Sequence, residues 1–229
     1  VKEYHKIQSV YKRDLKGRFI EGEWSLPEFE YLKNNEWLGE EKIDGTNIRL
    51  IPDHVNKTIV IKGKTDNADI PKFLVEDLQK KIDYSKFLQA FKIDTPVDET
   101  NDPHICVYGE GCGCSVVNGR KVEIQKHGGR YTDNVGSDLI IFDIRVGYWW
   151  LQRKDVYDIA EKLGFRHSIE IFRGTLGEAI EVVRMHTLDS SYLRLNMVGI
   201  EGLVLRPKVD LFCRNGERVI TKVKVKDFK

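Results

Sequence analysis

Apolar positions along the chain fall at two spacings. Across residues 71–91 they recur at helical intervals (Phe73, Leu74, Leu78, Ile82), with Phe87 and Leu88 beyond. Residues 154–163 repeat the pattern, with Gly164 as a stop. Residues 175–185 form another helical stretch, in which Thr175 is the N-cap and Glu178 completes a capping box. A short helix begins at Ser25 as N-cap, carries Pro27 and Glu28 in its first turn and runs towards Lys33. Strand patterns occupy residues 47–51, 58–61, 105–110, 139–146, 199–206 and 219–225. Strands with helices set between them predict an α+β fold of antiparallel sheets with flanking helices.

A length of 229 residues suits one large domain or two small ones, and a single domain over 1–229 is expected. With 41% hydrophobic and 32% charged residues, the chain reads as a soluble globular protein. No apolar run approaches membrane-spanning length and the first residues lack a signal-peptide pattern, so a cytoplasmic protein without membrane contact is expected. The formal charge of +1 does not mark a nucleic-acid binder by itself. Its distribution says more. From Arg206 onward, Lys208, Arg214, Arg218, Lys222, Lys224, Lys226 and Lys229 outnumber Asp210, Glu217 and Asp227, which describes either a solvated face or a backbone-binding one. Cys106, Cys112, Cys114 and Cys213 match no standard zinc spacing and read as reduced thiols. His127, beside two glycines, reads as a surface-loop histidine.

The chemistry concentrates around Glu40-Glu41-Lys42-Ile43-Asp44-Gly45-Thr46-Asn47-Ile48-Arg49. Asp-Gly is a favoured turn pair, so an ordinary hairpin is one reading. The other is a nucleophile. A lysine amine normally titrates near about 10.4, and only its neutral form attacks phosphorus. Three further stretches supply what that attack requires. Tyr108-Gly109-Glu110 ends a strand on a carboxylate, and Glu201 opens another. Lys222 and Lys224 alternate, so they share one strand face. Carboxylates hold Mg²⁺, and paired lysines neutralise charge developing on phosphates. Lysines alternating in a strand also serve to deter edge pairing.

The ordered set Glu-Lys-Ile-Asp-Gly-Thr-Asn, Tyr-Gly-Glu, Phe-Asp-Ile, Glu-Gly-Leu-Val-Leu-Arg and Lys-Val-Lys resembles the covalent nucleotidyltransferases. These are ATP-dependent DNA and RNA ligases and mRNA capping enzymes. Within them the chain most resembles the RNA ligases typified by nick-sealing phage enzymes, through Glu-Lys-x-Asp-Gly-Thr-Asn and a closing Lys-x-Lys-x-x-x-Phe from Lys222 to Phe228. The resemblance implies a ligase adenylation domain acting with ATP and Mg²⁺ or Mn²⁺. It implies that Lys42 carries AMP, with Lys222, Lys224 and Glu201 as further catalytic residues. Glu41, Asn47, Arg49, Lys64, Glu110 and Phe142 would contact the nucleotide with the two lysines, Phe142 lying on adenine where a core aromatic is the plainer reading. Asp44, Glu110 and Glu201 would hold the metal, and Asp143 belongs to the same motif without a clear role. The implied partner is RNA, or DNA, with 5′-phosphate and 3′-hydroxyl ends, acted on by a monomer. The chain departs from many relatives in having Lys64 rather than arginine, and from some in having Asp44 rather than histidine. No OB-fold or helical domain is expected after Phe228. An ATP-dependent DNA ligase, a GTP-dependent capping enzyme and a non-catalytic binding relative are the alternatives.

Overall fold

The computed structural model describes residues 3–94, 97, 102–125, 131–132, 135–192 and 199–228; His127 and Lys229 lie outside them. In chain order the strands are β1 (Gln8–Ser9), β2 (Tyr11–Arg13), β3 (Phe19–Trp24), β4 (Trp37–Glu41), β5 (Thr46–Asp53), β6 (Thr58–Lys62) and β7 (Ile105–Val117). They continue as β8 (Arg120–Glu123), β9 (Gly136–Val146), β10 (Trp149–Trp150), β11 (Arg166–His167), β12 (Glu170–Gly174), β13 (Gly202–Pro207) and β14 (Thr221–Lys224). The helices are α1 (Pro27–Tyr31), α2 (Lys72–Lys81), α3 (Tyr84–Ala90), α4 (Arg153–Leu163) and α5 (Leu176–Arg184), and a 3₁₀ turn spans Val225–Phe228. None of the described helices is long and apolar enough to cross a membrane. The chain divides into two compact units, one of Val1–Tyr4 with Asp44–Ser168 and one of His5–Ile43 with Ile169–Lys229.

The first unit is built on the antiparallel order β10-β9-β7-β5-β6, with β8 added to β7 and the two-residue β11 running parallel to β9. Alternation along β5 sends Ile48 and Leu50 to one face, where they join Val107, Leu139 and Ile141 in the core. Leu74 and Leu78 of α2, Phe87 of α3 and Val156 of α4 complete that core. The helical spacing over 71–91 resolves into two helices. Ile82 is extended, and the Asp83 carboxylate accepts from the Lys86 amide at 2.7 Å as the N-cap of α3. Gly164 ends α4 in the left-handed region at φ 78°, as expected of a glycine stop.

The second unit carries the order β1-β14-β13-β4-β12. All its long pairs are antiparallel, while β1 runs parallel to β14. The sheets are therefore mixed at their edges rather than wholly antiparallel. The α+β class holds. Leu176, Ala179, Ile180 and Val183 line one stripe of α5 and pack on Trp37, Leu203, Leu205 and Val223. Full burial of each large aliphatic side chain there contributes roughly 1.5–3 kcal/mol. The capping box forms: the Thr175 hydroxyl accepts from the Glu178 amide at 3.2 Å, and Glu178 accepts from the Thr175 amide at 2.7 Å. The expected Ser25 cap does not. Its hydroxyl donates to the Ser9 carbonyl, and Leu26 occupies the N-cap of α1 without a side-chain bond. A long-range acceptor outcompetes the local one.

Candidate active site

Lys42 follows directly on β4, and its amide donates to the Gly202 carbonyl at 2.9 Å, carrying the β4–β13 ladder one residue past the strand. On the other side of β13, Gly202 pairs with Lys224 of β14. Three strands therefore deliver three charged side chains to one place. Lys42 Nζ donates to Glu201 Oε2 at 2.8 Å, and Lys224 Nζ donates to Oε1 of the same carboxylate at 2.7 Å. Side-chain exposures of 20% for Lys42, 14% for Glu201 and 18% for Lys224 place the cluster below the surface but within reach of a ligand. Burial pushes the Glu201 carboxyl up. The Lys42 charge and the hydrogen bonds from both lysines outweigh that and hold it below the ordinary carboxylate value.

The close strand contact depends on Gly202. A methyl group there would lie 2.1 Å from the Val223 carbonyl oxygen. Lys222 shares its strand face with Lys224, while Thr221 and Val223 are buried on the other side. Glu41 is buried and committed to the chain itself: it accepts from the Ser190 hydroxyl at 2.5 Å and the Ser191 amide at 2.9 Å. Burial raises its carboxyl above the ordinary value against those bonds. Its position next to Lys42 suggests nucleotide contact, but both its oxygens anchor the 190–191 turn.

The boundary between the two units falls between Ile43 and Asp44, so the remaining candidates belong to the first unit. There Asn47 stands directly opposite Glu110 across β5 and β7, and Glu110 opposite Ile140 of β9. These residues share the face that looks away from the helices. Gly45 fits this packing for a reason other than a turn. A methyl there would lie 2.4 Å from the Gly111 carbonyl oxygen and 2.8 Å from Glu110 Cγ. The Asp44 amide donates to the Tyr131 hydroxyl at 3.2 Å.

Arg49 is fully buried, with Nε on the Gly63 carbonyl and Nη2 on Asp66, both at 2.8 Å. Its Nη1 and the Oδ1 of Asn47 are buried without a hydrogen-bond partner among the described residues. Such orphaned groups suit a polar ligand on that face. Lys64 is exposed in the turn after β6.

Phe142 and Asp143 sit at a β-bulge. The β7–β9 register shifts between Tyr108 and Gly109, whose partners are Asp143 and Ile141. The extra residue puts both side chains on the same face. The Phe142 ring meets Tyr4 edge-on at 5.1 Å between centroids, and the Tyr4 hydroxyl donates to Asp143 at 2.7 Å. Asp143 is fully buried and also takes Arg153 Nη2 at 2.5 Å. It thus ties Tyr4, which precedes the first strand, and the start of α4 to β9. Tyr4 carried no signal in the sequence, because its contact with Asp143 spans 139 positions, and Arg153 reads as an ordinary charge in the first turn of a helix.

The cysteines are all free. Burial pushes Cys106 up to about 11 and Cys112 up to about 12, leaving both as neutral thiols near pH 7. Among the described residues no group of three or more His, Cys, Asp or Glu converges on a point.

A family model described as RNA ligase matches residues 35–224. The chain belongs to the RNA ligase family. Among solved structures, this family member is similar to a Naegleria gruberi RNA ligase mutant in its apo form, with TM-score 0.56, 15% identity, and coverage of 97% of this chain and 57% of that one. A second Naegleria gruberi RNA ligase mutant, with ATP and Mn, aligns with TM-score 0.53 and 15% identity over 97% of this chain and 57% of that one. An archaeal ATP-dependent RNA ligase aligns with TM-score 0.56 and 16% identity over 100% of this chain and 49% of that one. Such identities carry the fold. The RNA ligase-family chain spans about half the length of these solved relatives. No curated protein matches it.

Proposed function

We propose that the chain is the adenylyl-transferring part of an ATP-dependent RNA ligase, with Lys42 as the nucleophile. The observation that carries this reading is the shared carboxylate of Glu201, which draws the amines of Lys42 and Lys224 together at 2.8 and 2.7 Å. Family membership supports it, and solved relatives are described with ATP and Mn and with AMP and Mn. Glu201 fixes the direction of the Lys42 amine. With its proton passed to solvent, that amine attacks the α-phosphorus of ATP; a P–N bond forms and the bond to pyrophosphate breaks. Lys224 and Lys222 neutralise charge on the phosphates as this happens, and positioning with charge neutralisation supplies most of the rate. AMP then passes from Lys42 to a strand's 5′-phosphate. A 3′-hydroxyl displaces it, forming the phosphodiester.

The second group of residues fits nucleotide recognition. Glu110 and Asn47 suit ribose hydroxyls, Arg49 with its unpartnered Nη1 suits an oxyanion, and Phe142 offers an aromatic face to adenine. Lys64 is a further contact on this reading, whereas Glu41, with both oxygens taken by Ser190 and Ser191, braces the residue next to Lys42. The resemblance assigns Mg²⁺ or Mn²⁺ to Asp44 and Glu110 in the first unit and to Glu201 in the second, and a bound ion would supply charge neutralisation on the triphosphate. Incubation with ATP and Mg²⁺ followed by intact-mass measurement tests the proposal. One added AMP is expected for the chain and none for Lys42→Ala; an unmodified chain overturns it. Sealing of nicks with RNA or DNA at the 3′-hydroxyl side then separates RNA from DNA ligase.

A further inference from the structure

The second unit holds a basic cleft that the lysine chemistry does not use up. It opens where β1 lies along β14, with Ser9 opposite Lys222, and encloses about 780 Å³. Lys6, Lys12, Arg13, Lys222, Lys224 and Lys226 line it, with Asp227 as the single acid in that lining. Asp227 does not offset them towards a ligand. Its side chain is 1% exposed, and its two oxygens accept from Arg13 Nη2 at 2.7 Å and the Lys224 amide at 3.1 Å.

Arg13 is held in the wall by that pair, by the Gly17 carbonyl at 2.8 Å and by the Phe19 ring, 4.5 Å from centroid to guanidinium carbon. Lys6, Lys12 and Lys226 are exposed. They reach the cleft from two separate stretches of the chain, Lys6 and Lys12 from the N-terminal segment and Lys226 from the turn after β14. Flexible ammonium groups act on phosphate as point charges and carry no base preference. Lys224 lies in the lining and also on Glu201, so the cleft ends at the reacting lysine's own cluster.

We propose that this cleft holds the sugar-phosphate backbone of one polynucleotide strand, gripped by Lys6, Lys12 and Lys226. The inference rests on the reading of the chain as a polynucleotide-joining enzyme and adds the surface that receives the strand. The test is fluorescence anisotropy with a labelled, 5′-phosphorylated RNA 20-mer across a salt series. Lys6→Ala/Lys12→Ala/Lys226→Ala weakens binding about tenfold or more, and the log–log salt slope falls by about 2, near 0.7 for each lost single-strand phosphate contact. The corresponding triple arginine variant restores binding, and thermal melts of both variants match the parent. AMP incorporation from ATP, read by mass, stays at the parental level. Unchanged RNA binding in the alanine variant overturns the proposal. So does a variant that keeps RNA but loses AMP incorporation, since the cleft then serves the triphosphate. A parent that takes up no AMP yet loses RNA through these substitutions upholds the cleft while the adenylation reading falls.

Discussion

Lys42 reaches Glu201 across the β4–β13 ladder at 2.8 Å, and the same carboxylate is shared with Lys224 at 2.7 Å. Two cations on one largely buried anion form a unit that fails when the anion is removed. Glu201→Gln keeps an oxygen for one lysine and leaves the other facing an amide. Breaking a buried pair in this way costs about 3–5 kcal/mol when the ions are fully enclosed, and about half that is expected here because the groups retain some exposure. Urea denaturation measures the loss. AMP incorporation falls by at least about tenfold, because the amine is no longer aimed.

The same carboxylate sets a pH dependence. The lysines hold Glu201 below its ordinary value, so the unfolded chain binds its proton more readily than the folded one. The stability this group contributes is fully present above the unfolded carboxyl value of about 4.3 and is lost as pH falls through the lower folded value. Denaturation midpoints of the parent and Glu201→Gln should therefore differ at pH 7 and converge as the solution is acidified below pH 4. A gap that persists unchanged to pH 2.5 contradicts the ion-pair account.

Helices with strong periodicity and local punctuation were the readable part of this chain. Thr175 and Glu178 sit three apart and need only each other, and Gly164 needs only its own backbone, so both are visible in sequence. Lys42, Glu201 and Lys224 are separated by 159 and 23 positions, and the family motifs, not local pattern, mark them as a group. What stayed hidden depends on partners chosen by the fold. Ser25 finds the Ser9 carbonyl instead of its own helix, Glu41 finds Ser190, and Arg49 is buried on Asp66 and Gly63. A charged residue in a strand reads as surface until its counter-charge is located.

Gly202 tests whether strand approach, rather than turn flexibility, explains a motif glycine. Its φ is ordinary, but a methyl would fall 2.1 Å from the Val223 carbonyl oxygen and 2.8 Å from Lys224 Cα. Backbone cannot yield as a side-chain tip can. Gly202→Ala is expected to push β13 from β14, cost about 1–3 kcal/mol as an overpacked site does, and lower AMP incorporation together with stability. The control is Gly216→Ala, where nothing lies within 4 Å but φ is 81°. It loses stability through backbone strain alone, about 1 kcal/mol, and keeps its AMP incorporation.

Asp143 gives the sharpest separation between a charge that reacts and a charge that builds. It is fully buried and is met by Arg153 Nη2 at 2.5 Å and the Tyr4 hydroxyl at 2.7 Å, while another Arg153 nitrogen donates to the Phe142 carbonyl. Arg153→Met strips the counter-charge from an enclosed carboxylate and is expected to cost about 3–5 kcal/mol. Tyr4→Phe removes one hydrogen bond to a charged group, about 1.5–3 kcal/mol, while keeping the ring that packs on Phe142 and Tyr108. The two losses share one acceptor, so the double variant should fall short of or exceed their sum by more than about 0.5 kcal/mol. Strict additivity in urea unfolding contradicts a common network. Asp143→Asn with Arg153→Met removes both charges together, and it should recover much of the stability that Arg153→Met alone loses, since no unpaired ion then remains inside.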